Sequence, residues 1–228
     1  MHNLKRIARI RCDFETKFGL PRQSGLNESL TGRIVFEREY RSPDAVRGLE
    51  QFSHIWILWL FDIPEREGYS ATVRPPRLGG NERVGVFATR SPFRPNPIGL
   101  TVAKLEKIEI DPSLGPVITV SGIDMMDGTE IFDIKPYIPY ADMRPDAVGS
   151  FAEEMKEYRL KVEDPKNLLS NFDQEKRETL FKTLALDPRP AYHDDPDRVY
   201  GFLYAGFDVR FTVDKGTLTV FEIMKNEF

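Results

Sequence analysis

The sequence predicts a mainly β protein in two parts: an all-β barrel or sandwich over residues 1–145, followed by a small α+β unit over 146–228. Three observations carry this reading. Short runs rich in Val, Ile, Phe and Thr recur through the first part, separated by turn residues. Eight of the 17 prolines fall in residues 75–97 and 136–145, which reads as rigid loops between strands. After about residue 145 the strand pattern lapses, and an amphipathic helical pattern followed by three further β-like runs replaces it.

The elements follow in chain order. Residues 6–12 carry Ile7, Ile10 and Cys12, and 31–37 carry Ile34 and Phe36. Ser42-Pro43 reads as a cap and first position of a short helix that Gly48 closes. Residues 54–61 are apolar almost throughout, which predicts a strand buried on both faces. Strands are expected at 84–89, 100–110, 117–121 and 130–134. From 146 to 186 no strand is expected. A helix is predicted over 170–186, with Asp173, Glu175 and Glu178 toward its start, a stripe of Leu180, Phe181 and Leu184, and Pro188 as its stop. Strands at 198–204, 207–213 and 217–223 complete the chain, the last two joined by the hairpin turn Asp214-Lys215-Gly216.

Composition excludes several classes of function. The 228 residues carry a net charge of −4, which argues against a globally basic nucleic-acid coat but leaves room for a local basic patch. No apolar stretch approaches the ~18 residues of a membrane helix, and the start of the chain lacks a secretory pattern. A single cysteine, Cys12, excludes an internal disulfide and a Cys-based zinc site, and suits a reducing cytoplasm. The histidines His2, His54 and His193 are far apart, so no metal site is expected. There is no Gly-x-Gly-x-x-Gly and no Gly-x-Ser-x-Gly; Gly80 to Gly85 has phosphate-loop spacing, but Val86-Phe87 follows where Lys-Ser/Thr is required. An enzyme of this composition would rely on positioning and a reactive co-substrate.

One segment stands apart. Residues 74–94 hold Arg74, Arg77, Arg83, Arg90 and Arg94 against one acid, Glu82. Guanidinium forks match phosphate and carboxylate in bidentate fashion and stack on flat rings. The adjoining Arg90-Ser91-Pro92-Phe93-Arg94-Pro95-Asn96-Pro97-Ile98-Gly99 places three prolines in six positions, which fixes a loop in advance of binding. Either this surface meets an anion or nucleic acid, or its arginines pair with acids elsewhere and hold loops.

These motifs carry a family resemblance. Thr72-Val73-Arg74-Pro75-Pro76-Arg77-Leu78-Gly79-Gly80, Gly85-Val86-Phe87-Ala88-Thr89-Arg90-Ser91 and Phe93-Arg94-Pro95-Asn96-Pro97-Ile98-Gly99 resemble the TrmO/TsaA-like family. Pro21-Arg22-Gln23, Phe52-Ser53-His54-Ile55-Trp56, Asp127-Gly128-Thr129, Asp133-Ile134-Lys135-Pro136-Tyr137 and Asp187-Pro188-Arg189-Pro190-Ala191-Tyr192 extend the likeness over nearly the whole chain. The resemblance implies a single-sheeted β-barrel that works as a homodimer. It also implies use of S-adenosylmethionine to methylate N6 of N6-threonylcarbamoyladenosine at tRNA position 37. A noncatalytic RNA- or nucleoside-binding module is the alternative.

The family's cofactor contacts carry over to Pro21, Arg22 and Gln23, to Arg90, to Leu100, and to Asp124, Met125, Met126 and Asp127. Carboxylates suit the ammonium and ribose hydroxyls of the cofactor, Arg22 or Arg90 its carboxylate, and Met or Leu its adenine. Where members carry a His-Gln pair this chain has Asp62-Ile63, so a contact there falls to the backbone. Asp133, Lys135, Tyr137 and His54 are candidates for a general base. Trp56 and Trp59 are expected to pack the barrel or a subunit interface. Arg74, Arg77, Arg94, Arg189 and Tyr192 are candidates for tRNA contact; for Arg189 the competing role is an ion pair with Asp187, Asp194 or Asp195 that locks the C-terminal unit.

Overall fold

The computed structural model describes residues 4–62, 69–75, 82–150, 158–189 and 195–226. Twelve strands are found among these residues. Six of them close a barrel: β1 (Ala8–Arg11), β2 (Thr31–Phe36), β3 (His54–Leu60), β6 (Ile98–Asp111), β7 (Gly115–Ser121) and β8 (Glu130–Pro136). Their order around the barrel is β1-β2-β7-β6-β3-β8, and every pairing is antiparallel. Closure removes the exposed sheet edge. Two short strands, β4 (Thr72–Val73) and β5 (Val84–Gly85), form a separate ribbon. The second sheet has the order β10-β11-β12-β9, built from β9 (Lys161–Glu163), β10 (Tyr200–Tyr204), β11 (Phe207–Asp214) and β12 (Thr217–Lys225). The helices are the single turn α1 (Pro139–Asp142) and the longer α2 (Gln174–Ala185).

The alternation expected of a barrel wall is seen in β3. Ile55, Ile57 and Trp59 are buried inside, while His54, Trp56, Leu58 and Leu60 face outward and are half-buried. Burial on both faces, expected from the unbroken apolar run, is therefore not achieved within one chain. Leu58, Trp56 and Leu60 pair with Leu100, Val102 and Ile98 of β6, so the outer wall here is an apolar patch.

Four expectations are corrected. The strand foreseen at 84–89 ends at Gly85. A 3₁₀ turn over Val86–Ala88 follows, closed by the Thr89 N–H and hydroxyl, both of which donate to the Val86 carbonyl. Ser42 does cap through its hydroxyl, but the helix is a 3₁₀ turn over Pro43–Val46, and Gly48 at φ +86° begins a second turn. Residues 146–186 do contain a strand, β9, a three-residue piece too short to leave a pattern, which pairs parallel to β12. The long helix begins at Gln174, capped by the Asp173 carboxylate, which accepts from the Lys176 N–H at 2.9 Å. Its buried face is Thr179, Leu180, Thr183 and Leu184, and Phe181 is 46% exposed.

The threonines are buried because they meet the barrel. The Asn27 amide donates to the Thr179 carbonyl at 2.9 Å and to the Thr183 hydroxyl at 2.8 Å, and the Thr179 hydroxyl donates to the Ser29 carbonyl at 2.9 Å. Aromatic rings continue the junction: Phe14 lies 6.0 Å from Phe202 and 4.8 Å from Tyr204, and Phe18 is 6.4 Å from Tyr200. The hydrophobic core is thus continuous between the two sheets.

Candidate functional site

A cleft of about 720 Å³ opens at the mouth of the barrel, within the roughly 300–1,000 Å³ range of small-molecule sites. Four segments converge on it. The first is the loop Leu20-Pro21-Arg22-Gln23-Ser24, turned inward at Gly19, whose φ is +98° and whose missing side chain leaves room for the Phe202 ring. The second is the end of β3 with Trp59, Phe61 and Asp62. The third is the proline-rich loop, which supplies Arg90, Pro92, Arg94 and Asn96 and runs into Ile98, Gly99 and Leu100 at the start of β6. The fourth is Asp124-Met125-Met126, after β7.

Nine of the residues carried over as cofactor contacts lie on this cleft: Pro21, Arg22, Gln23, Asp62, Arg90, Leu100, Asp124, Met125 and Met126. Ile63 lies outside the described residues. Asp127 is placed differently. Its carboxylate accepts from the Cys12 N–H at 3.0 Å and pairs with Arg11 at 3.1 Å, and its own N–H donates to the Phe14 carbonyl at 2.7 Å. It pins the loop to the end of β1, and it does not line the cleft. The Cys12 thiol adds a bond to the Met125 carbonyl at 3.4 Å; burial pushes that thiol up to about 12.

The polar groups of the cleft are braced. Arg90 donates to the Gln23 side chain, linking the proline-rich loop to the first loop. Arg22 donates to the carbonyls of Asp187 and Arg189, so the first loop is also strapped to the C-terminal unit. Asp124 is half-buried and accepts from the Thr101 hydroxyl at 2.5 Å. Burial raises its carboxyl above the ordinary range, with the Thr101 bond and the charge of Arg90 working against the rise.

The candidates for a general base fall elsewhere. Asp133 and Lys135 lie on β8 opposite Leu58 and Trp56, and pair with each other at 2.8 Å. The Tyr137 ring lies 5.8 Å from Trp56 and 6.3 Å from His54, and the His54 Nδ1 bonds the Ser53 hydroxyl at 2.9 Å. None of these four lines the cleft; they group on the outer wall beside Trp56, which does.

The candidates for RNA contact are divided. Arg74 is exposed. Arg94 braces its own loop through the Thr89 carbonyl at 3.0 Å, and its guanidinium lies 5.9 Å from the Phe87 ring. Arg189 forms a bidentate pair with Asp187, both bonds 2.9 Å, with the two side chains only 12% and 13% exposed. That geometry favours the locking role for Arg189 over presentation to RNA. Arg77 and Tyr192 lie outside the described residues. Thr101 escaped the sequence reading because a small buried residue in a β-like run gives no signal of its own; Gly99 ends the proline-rich motif without a role attached to it.

The comparisons with known proteins match this architecture along its length. The profile of the tRNA-methyltransferase O N-terminal domain matches residues 9–143, and that of the TrmO C-terminal domain matches 151–226. The chain belongs to the TrmO family. A relative from Escherichia coli strain K12, named tRNA (adenine(37)-N6)-methyltransferase, is 41% identical over 227 residues, covering 96% of each chain. A putative S-adenosylmethionine-dependent methyltransferase of Pseudomonas aeruginosa PAO1 is 39% identical, covering 91% of each. The crystal structure of TrmO from Pseudomonas aeruginosa superimposes with a TM-score of 0.78 at 32% identity, covering 99% of this chain and 97% of the other.

Proposed function

We propose that this TrmO protein transfers a methyl group from S-adenosylmethionine to N6 of adenosine 37 in tRNA, with the threonylcarbamoylated nucleoside as the form it accepts. The observation that supports this most is the convergence of nine family cofactor positions, from four separate segments, on one cleft. The side chains there fit the group. Asp124 offers an acceptor for ammonium or ribose hydroxyls, Arg22 and Arg90 offer donors to a carboxylate, and Leu20, Leu100 and Met125 offer apolar contact for a base. Bound there, S-adenosylmethionine supplies an electrophilic methyl group on a sulfonium.

The chain's own contribution is placement. Loops braced by Arg90–Gln23 and stiffened by Pro92, Pro95 and Pro97 lose little freedom when a ligand arrives, so reacting atoms can be held in line at little entropic cost. The barrel carries the cofactor, and the C-terminal unit, together with Arg74, serves tRNA. The apolar outer patch of Trp56, Leu58, Leu60, Ile98, Leu100 and Val102 is the surface for a second subunit. Because Trp56, Ile98, Leu100 and Val102 also line the cleft, a partner there would complete its wall.

The test is mass spectrometry of tRNA nucleosides after incubation with protein and S-adenosylmethionine, using tRNA with and without threonylcarbamoylation. The expected result is a gain of one CH₂ (roughly 14 mass units) on the threonylcarbamoylated nucleoside alone. Retention of tRNA with no mass change in either sample would favour the noncatalytic binding module.

A further inference from the structure

A directional chain of hydrogen bonds runs from inside the barrel to the cleft. It begins at Trp59, beside a register shift between β3 and β8 at Leu58/Trp59. The ring passes over Gly99, its cross-strand partner. A Cβ at Gly99 would come within 2.1 Å of the ring, so only glycine leaves the indole where it is. The indole N–H then reaches the Thr101 hydroxyl at 2.9 Å, and the Thr101 hydroxyl reaches the Asp124 carboxylate at 2.5 Å.

The direction of each bond is forced by chemistry. An indole N–H can only donate, so Thr101 accepts from Trp59. That leaves the single hydroxyl proton of Thr101 for Asp124, whose ionised carboxylate can only accept. Thr101 is fully buried, so no water competes for its proton. Together with backbone hydrogen bonds from its own N–H and from Ser24, this bond fixes the orientation of the Asp124 carboxylate at the cleft.

We propose that Thr101 is a positioning residue for S-adenosylmethionine, acting through Asp124, with Trp59 and Gly99 fixing the direction of its hydroxyl. This rests on the reading of the cleft as the cofactor site. Asp124 is already a cofactor candidate; the new element is that its usefulness depends on a buried threonine and tryptophan that do not themselves need to touch the reacting atoms. The competing role for Thr101 is structural, satisfying the buried indole N–H and no more. Both roles allow Thr101→Val to lower thermal stability. They differ in what happens to cofactor affinity.

The experiment is calorimetric titration of S-adenosylmethionine into the full chain, wild type and Thr101→Val, with affinities expressed per folded molecule. Positioning predicts that Thr101→Val weakens binding about tenfold, the scale of a lost hydrogen bond to a charged group. Steady-state rates should then show a raised KM for cofactor with kcat at saturation within about twofold. Thr101→Ser, which keeps the hydroxyl, should restore affinity to within about twofold of wild type. In an Asp124→Asn background the further effect of Thr101→Val should shrink, because the two side chains act as a unit. Should the valine variant fail to fold, Thr101→Ala removes the same hydroxyl with less crowding and is expected to show the same loss. Wild-type affinity in folded Thr101→Val or Thr101→Ala overturns the proposal and leaves the cofactor reading standing. Wild-type protein that binds no S-adenosylmethionine overturns both.

Discussion

Asp124 shows how one side chain can be set against the stability of its own protein. Its carboxyl is held above the ordinary value by burial, so the native state binds that proton more tightly than the unfolded chain does. Stability from this group is therefore fullest below the unfolded carboxylate pKa and is lost as pH rises through the folded value. Ionising this carboxyl within the fold therefore costs stability. Asp124→Asn should then be at least as stable as wild type at pH 7, with the difference closing as pH falls toward about 4. The same variant should bind S-adenosylmethionine more weakly; denaturant melts across pH, alongside titrations, check both halves. Arg189 is the contrasting case. Its pair with Asp187 is nearly sealed from solvent, and the Tyr158 hydroxyl lies 3.4 Å from the same carboxylate. Arg189→Ala should lose about 1–3 kcal/mol in urea unfolding, because Asp187 loses its charged partner, while tRNA affinity per folded molecule holds. A loss of tRNA affinity without loss of stability would return Arg189 to the RNA-contact role that its flanking prolines suggest. The sequence offered both roles and lacked the one fact that separates them, which is where the guanidinium points.

At the scale of elements, what was legible depended on whether the signal was local. The hairpin at Asp214-Lys215-Gly216 was readable because its geometry needs left-handed residues: Lys215 is at φ +44° and Gly216 at φ +80°. The capping roles of Ser42 and Asp173 were readable for the same kind of reason. The helix face was misjudged at Phe181 because its partner surface was unknown. Hydroxyls of Thr179 and Thr183 meet carbonyl and amide groups of the Asn27–Ser29 segment, which no apolar stripe forecasts. The cleft itself was mostly legible through motifs, yet its support at Thr101, Gly99 and Gly19 was not. Gly19 allows a direct test. Its φ of +98° opposes any side chain, and so does the Phe202 ring, which a Cβ at this position would approach to 2.6 Å. Gly19→Ala should destabilise the protein by about 1–3 kcal/mol and weaken cofactor binding, since Leu20 to Ser24 would be displaced from the cleft. An alanine variant with unchanged melting and binding would show that this loop tolerates another path.

At the scale of the whole molecule, the barrel and the second sheet are tied at the core and at the site. Phe14 and Phe18 carry the barrel side of the aromatic junction, and Arg22 straps the first cleft loop to the chain at Asp187 and Arg189. The outer wall of β3 and the start of β6 stays open. A barrel strand that is apolar on its outward positions is out of place against water: Leu100 is 55% exposed and Ile98 is 39% exposed, next to half-buried Trp56, Leu58 and Leu60. A second copy of the chain would bury this wall and close the cleft beside it, which links assembly to cofactor binding. The expected solution state at micromolar concentration is a dimer. Leu58→Glu, directly opposite Leu100 on that wall, places charge in the contact while leaving the barrel interior alone. It should shift sedimentation toward the monomer, keep the melting transition, and weaken S-adenosylmethionine binding because one wall of the cleft is lost. A Leu58→Glu protein that becomes monomeric yet binds cofactor as wild type does would separate the dimer from the site. A wild-type monomer at that concentration would leave the apolar wall without a second copy to cover it.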